Sequence, residues 1–113
     1  MKTKAIKWRI VEHNRQRMND GVFVYKKNGF YTIYRYIDDW DEDGDTIYDD
    51  EEYVSQIPEG EFMAAIGASE DSQVIHWIKT HLIKEQSNSR DDIISFLDEN
   101  NVSYRYEING LTV

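Results

Sequence analysis

Ile6, Trp8 and Ile10 alternate with Lys7 and Arg9 in the stretch AIKWRIV, a period of two that predicts a half-buried strand over 5–11. The polar stretch HNRQRMNDG breaks the alternation and reads as a loop. VFVYK is a second short apolar strand, and FYTIYRYID is its partner. Asn28 and Gly29 between them suit a type I′ hairpin turn, because both residues tolerate positive φ. The aromatic and β-branched content of the partner strand favours a pleated, half-buried surface. Alternation puts Tyr31, Ile33 and Ile37 on one of its faces and Phe30, Tyr34 and Tyr36 on the other.

The period is then interrupted by an acidic run, with Thr46–Tyr48 and Tyr53–Val54 predicted as short strand pieces inside it. EFMAAIG after Pro58 reads as a further strand that Gly67 ends. Beyond it the period changes to that of a helix. Val74, Ile75, Ile78 and Leu82 recur at helical spacing as far as about Gln86, with Ser69 as N-cap and Glu70 and Asp71 placed for the helix dipole. SNS breaks this helix. Ser89-Arg90-Asp91-Asp92 is similar to a capping box, and Ile93, Ile94, Phe96 and Leu97 give a second helix its apolar face up to Asn100-Asn101. VSYRYEI is a closing strand, and Asn109-Gly110 a second hairpin signal leading into LTV. The prediction is one α+β domain over residues 1–113, a mainly antiparallel sheet with two helices in the C-terminal half.

Composition narrows the chemistry. Hydrophobic residues make up 40% of the 113, enough to fold and too many for a disordered chain. The absence of cysteine excludes disulfides, thiolate metal sites and cysteine nucleophiles. No apolar run approaches the roughly twenty residues of a membrane span, and the N-terminus lacks a signal-peptide core, so a cytoplasmic protein is expected. His76 and His81 are five apart on the first helix, about 140° around its axis, and cannot ligate one metal from one face. There is no nucleophile elbow, phosphate-cradling loop or dinucleotide fingerprint. The expectation is a protein that is not an enzyme.

Charge carries the strongest signal. Residues 1–37 hold nine basic and two acidic side chains, whereas residues 38–61 hold twelve acidic and none basic. Within DDWDEDGDTIYDDEE (38–52), ten of fifteen residues are acidic. A run of this kind serves most simply as a solvated loop, the surface of a general acidic adaptor. The basic residues Lys7, Arg9, Arg15 and Arg17 suggest contact with phosphates, but a net charge of −9 opposes steering towards nucleic acid, so direct nucleic-acid binding is not expected. Asp39-x-Asp41-x-Asp43-Gly44 follows the opening of an EF-hand loop, with Asp50 at the twelfth position. Asp39, Asp41, Asp43 and Asp50 are therefore candidate Ca²⁺ ligands in a regulatory module, the alternative to a protein without cofactor. Against that reading, the preceding segment alternates as a strand, Thr46 fills a position usually aliphatic, and Asp50 reaches less far than the usual Glu.

The leading reading is a protein-binding surface. Asp38, Asp39, Asp41, Glu42, Asp43, Asp45, Asp49, Asp50, Glu51 and Glu52 supply dense negative charge, and Trp40 and Tyr48 among them supply aromatic anchors. In size, charge, acidic block and lack of cysteine the chain resembles the small acidic inhibitor proteins of phages and mobile elements, including anti-CRISPR proteins and other DNA mimics. That resemblance implies a single α+β domain that inhibits a basic, nucleic-acid-binding defence protein by occupying its DNA site. No motif aligns residue by residue, so it assigns no individual site residue.

Overall fold

The computed structural model of the chain describes residues 5–84 and 89–112. Four long strands come first: β1 (Ile6–Arg15), β2 (Met18–Lys27), β3 (Phe30–Trp40) and β4 (Thr46–Pro58). Three helices follow, α1 (Glu59–Ile66), α2 (Asp71–Lys84) and α3 (Ser89–Glu99), and then the short strands β5 (Arg105–Ile108) and β6 (Leu111–Thr112). The strands form one antiparallel sheet in sequence order, β1 to β6. The α+β class and the antiparallel sheet are as the sequence predicts, with three helices in place of two. Among the described residues no helix is long and apolar enough to cross a membrane.

The extra helix is the segment EFMAAIG, expected as a strand. Apolarity without alternation is ambiguous between strand and helix, and local chemistry decides here. Glu, Met and Ala favour a helix, Glu59 and Glu61 complement the positive end of its dipole, and Gly67 closes it at φ 71°. The N–H groups of Gly67 and Ala68 donate to the carbonyls of Ala64 and Met63, a Schellman-type end. The stretch 13–21, expected as a loop, continues both neighbouring strands instead, through a two-residue turn at Gln16-Arg17 with Arg17 at φ 66°. Its polar residues lie beyond the core, where a strand has no apolar face to show. Both Asn-Gly turns are as predicted, with positive φ at all four residues. The closing strand is shorter than VSYRYEI, since only Arg105–Ile108 pair with β4. At the start of α2 the Ser69 hydroxyl donates to Gln73, whose Oε1 reaches back from the first turn to accept the N–H groups of Ser69 and Glu70 as well. The helix-breaking SNS and the expected helix end at Gln86 fall largely outside the described residues, as do the side chains of the expected capping box at 89–92.

One face of the sheet carries the core. Val22 and Val24 of β2, Tyr31 and Ile33 of β3, and Val54 and Ile57 of β4 pack with Phe62, Val74, Ile78, Ile93 and Leu97 from the helices. Val54 and Ile57 are three apart and reach the same face because Gln56 adopts φ 56° and shifts the register opposite β3. A polar clasp closes the same interface. Tyr31 is fully buried and its hydroxyl donates to Asp71 Oδ1 at 2.5 Å, while Lys26 Nζ bonds Asp71 at 2.9 Å and Glu59 at 2.6 Å. These four residues tie β2 and β3 to the first turns of α1 and α2. Bonds to Glu59 and Asp71 raise the Lys26 pKa, against some loss of hydration. Burial opposes the Asp71 carboxylate, but Tyr31 and Lys26 outweigh it and hold its pKa below the ordinary value. Burial, and then the bond to Asp71, push the Tyr31 phenol far up.

The helices span only about 12 to 21 Å, whereas strands of ten to thirteen residues run to roughly 34 to 44 Å. The sheet therefore projects past the helical layer, and the molecule measures 48 × 36 × 26 Å. The projecting part holds the turn of β1–β2 and the outer half of the β3–β4 hairpin. No residue of 34–53 whose side chain is described is buried.

Candidate interaction surface

The acidic run is a hairpin, not an extended loop. Asp38, Asp39 and Trp40 end β3, and Tyr48, Asp49, Asp50, Glu51 and Glu52 belong to β4. Only 41–45 form the tip. There the backbone N–H groups of Asp43 and Asp45 both donate to Asp41 Oδ1 at 2.9 Å, and the Asp41 N–H donates to the Asp45 carbonyl. This closed turn, with Gly44 at φ 85°, lets two mutually repelling strands meet. Glu42, Asp43 and Asp45 stand exposed on it.

Strand register sorts the other carboxylates by face. On the face away from the helices, three successive β3–β4 rungs read Tyr34–Tyr53, Tyr36–Glu51 and Asp38–Asp49. On the helix-side face four rungs read Ile33–Val54, Arg35–Glu52, Ile37–Asp50 and Asp39–Tyr48. Asp50 Oδ1 accepts a bond from Asn109 Nδ2 at 2.7 Å, and the Glu51 N–H donates to Asn109 Oδ1 at 2.9 Å, so the β5–β6 turn steadies this part of β4. Asp38 and Asp49 face each other with no ion pair to either among the described residues, an arrangement that is destabilising in an isolated sheet.

The fold also brings basic residues to the acidic end. The Trp40 N–H donates to the Arg17 carbonyl at 3.0 Å, and Arg17 lies 3.4 Å from Glu42. Gln16, Arg17, Trp40, Asp41, Glu42 and Gly44 line a shallow cleft of about 340 Å³ there. Trp40 is half-buried against this corner rather than free at the tip. The side chain of Tyr48, the second expected anchor, lies outside the described residues. The proposed Ca²⁺ ligands are spread out: Asp39 in β3, Asp41 and Asp43 at the tip, Asp50 in β4, with strands rather than helices flanking the loop. Among the described residues no group of three or more His, Asp or Glu side chains is placed to hold a metal ion.

An aromatic cluster adjoins the carboxylates. Phe23 is buried yet belongs to no part of the helix-side core. It lies on the open face with Tyr34 and Tyr36, ring centroids 6.3 Å away in each case, and Tyr34 stacks on Tyr53 at 4.7 Å. Gly21 makes room for this: a Cβ there would meet the Tyr36 ring at 2.7 Å. Lys7 Nζ sits 4.5 Å above the Phe23 ring. The Tyr36 hydroxyl donates to Glu12 at 2.9 Å. Burial, and then neighbouring Glu51, push the Tyr34 pKa up to about 12 and raise that of Tyr53, so both hydroxyls are neutral donors at physiological pH. The sequence showed the alternation of Tyr34 and Tyr36. Phe23, Tyr53, Glu12 and Glu51 join them only through pairing register.

Comparison of the chain with protein-family models, curated proteins and solved structures gives no match. What the fold defines is a class: a six-stranded antiparallel meander with three helices on one face and an acidic hairpin projecting beyond them.

Proposed function

We propose that the protein is a non-enzymatic binding module, which docks its acidic β3–β4 hairpin on the nucleic-acid site of a basic partner and so inhibits it. The observation that carries this reading is charge density on an ordered scaffold. From the Arg35–Glu52 rung to the tip, the hairpin runs roughly 20 Å at about 3.4 Å per residue and bears ten carboxylates. That is about one charge per 2 Å, close to the roughly 1.7 Å of duplex DNA. Arg17 and Arg35 offset two of them. A hairpin paired through Trp40 and Thr46 presents this charge without the ordering cost a flexible loop carries on binding. A phage or mobile-element inhibitor of a DNA-binding defence protein fits these properties, and the cytoplasm, where such partners work, is the expected compartment.

The test is kinetic. A DNA-binding protein retained by the immobilised chain is measured for association at rising salt, against wild type and against Asp41→Asn/Asp43→Asn/Asp45→Asn. Association slows with salt and slows in the triple variant, because charge steers the encounter. A partner that associates with both proteins at the same salt-independent rate contradicts the reading.

A further inference from the structure

The open face of β3 and β4 carries tyrosines and carboxylates in a two-by-three array: Tyr34 and Tyr53, Tyr36 and Glu51, Asp38 and Asp49. We propose that this array takes guanidinium groups, so that the partner docks through arginine side chains that stack on the tyrosines and pair with Asp38, Asp49 and Glu51. The inference rests on the binding-module reading and supplies its specificity.

Four observations support it. Among the described residues no helix covers this face, since the core residues of all three helices lie on the other side. The chain's own Lys7 already places an ammonium 4.5 Å over Phe23 and 5.7 Å from Tyr25, so these rings accept a cation where one is within reach. Lys7 lies on β1, opposite Tyr25, while at the other edge of the array Arg105, diagonal to Tyr53 across the β4–β5 pair, is engaged with Glu107 at 2.8 Å. Charge complementarity selects the partner. Single-stranded nucleic acid also stacks on aromatic faces, but three carboxylates beside these rings repel its phosphates. Arginine satisfies both halves of the array, because its planar fork stacks on a ring and binds a carboxylate through two N–H groups, whereas a lysine ammonium is a point charge. A cation between Asp38 and Asp49 also removes the repulsion of that rung.

The test compares two peptides of equal charge, (Arg-Gly)4 and (Lys-Gly)4, titrated into the intact protein while its tyrosine ring resonances are followed by NMR. The arginine peptide binds more tightly and moves the rings of Tyr34, Tyr36 and Tyr53. Tyr53→Leu weakens it about two- to five-fold, the range for one exposed cation–π contact. Asp38→Asn/Asp49→Asn, which keeps side-chain size and ring packing, also weakens it and reduces its salt dependence. Equal binding of both peptides, with changes confined to 41–45, overturns the guanidinium array and leaves the acidic hairpin as the docking element. Failure of both peptides to bind at low salt overturns both readings. Binding of (dT)8 to the same rings, or self-association through them, overturns the proposed occupant.

Discussion

The Asp38–Asp49 rung gives a prediction in which folding and binding move in opposite directions. Directly opposed residues of an antiparallel pair have Cβ atoms roughly 4.5–5.5 Å apart, and two carboxylates reaching outward from them lie about 5–7 Å apart. In water at that distance their repulsion is about 0.6–0.8 kcal/mol, and physiological salt roughly halves it. Asp49→Lys replaces the repulsion by an attraction of similar size, a total change of about 0.6–0.9 kcal/mol. The entropy of unfolding of 113 residues is about 240 cal/mol/K, so the melting temperature rises by about 3 °C. Asp43→Lys makes the same change in net charge on the exposed tip, where no carboxylate is held opposite, and raises it less. Calorimetry at about 20 mM and 500 mM salt separates the two contributions, because the advantage of Asp49→Lys over Asp43→Lys shrinks as salt screens it. The stabilised variant is nevertheless expected to bind the proposed basic partner more weakly than wild type. If Asp49→Lys melts no higher than Asp43→Lys at low salt, or if their difference does not depend on salt, the two carboxylates do not face each other as the register places them.

Asp71 has a pKa held below its ordinary value, so its contribution is fully present above the unfolded-state value near 3.9 and is lost as pH falls through the lower folded-state value. Denaturant melts between pH 6 and pH 3 therefore show a fall in stability that Asp71→Asn partly removes, and at pH 7 that variant is less stable by about 1–3 kcal/mol. Phe62→Ala empties a fully buried site between Tyr31 and Trp77 and costs about 3–5 kcal/mol by denaturant melt, while Ile47→Ala, at 63% exposure, stays within about 0.5 kcal/mol. Gly21→Ala drives a methyl group into the Tyr36 ring and costs about 1–3 kcal/mol, with a change in near-ultraviolet circular dichroism as the tyrosine stack shifts.

Much of the fold was legible where one physical signal acted alone. Alternation over FYTIYRYID assigned both faces of β3 correctly, because one face meets the helices and the other does not. Asn28-Gly29 and Asn109-Gly110 announced their turns, because few residues adopt positive φ at so little cost. The errors fell where signals competed. FMAAI is apolar on every side, and helix propensity with a glycine stop decided its state rather than periodicity. Residues 13–21 lie past the core, so their strands have no hydrophobic face to betray them, and backbone pairing holds them together with exposed polar contacts such as His13 to Asp20 and Arg17 to Glu42. The acidic residues of the site were plain from composition. Their arrangement was not, since a pairing register joins residues such as Tyr36 and Glu51 that no local pattern connects. Arg17 beside Glu42 was hidden for the same reason: the two charge blocks are separate in sequence and adjacent in the sheet.

If the acidic hairpin occupies the place of nucleic acid on the proposed partner, the duplex and this protein exclude each other. The most direct measurement mixes the purified partner, this protein and a fluorescent duplex, and reads by fluorescence anisotropy whether the duplex remains bound as the protein is added. Under exclusive binding, anisotropy falls to that of free duplex, and Asp41→Asn/Asp43→Asn/Asp45→Asn requires a higher concentration to achieve it. A ternary complex, in which the duplex stays bound while the protein joins it, refutes occupation of the nucleic-acid site by the hairpin.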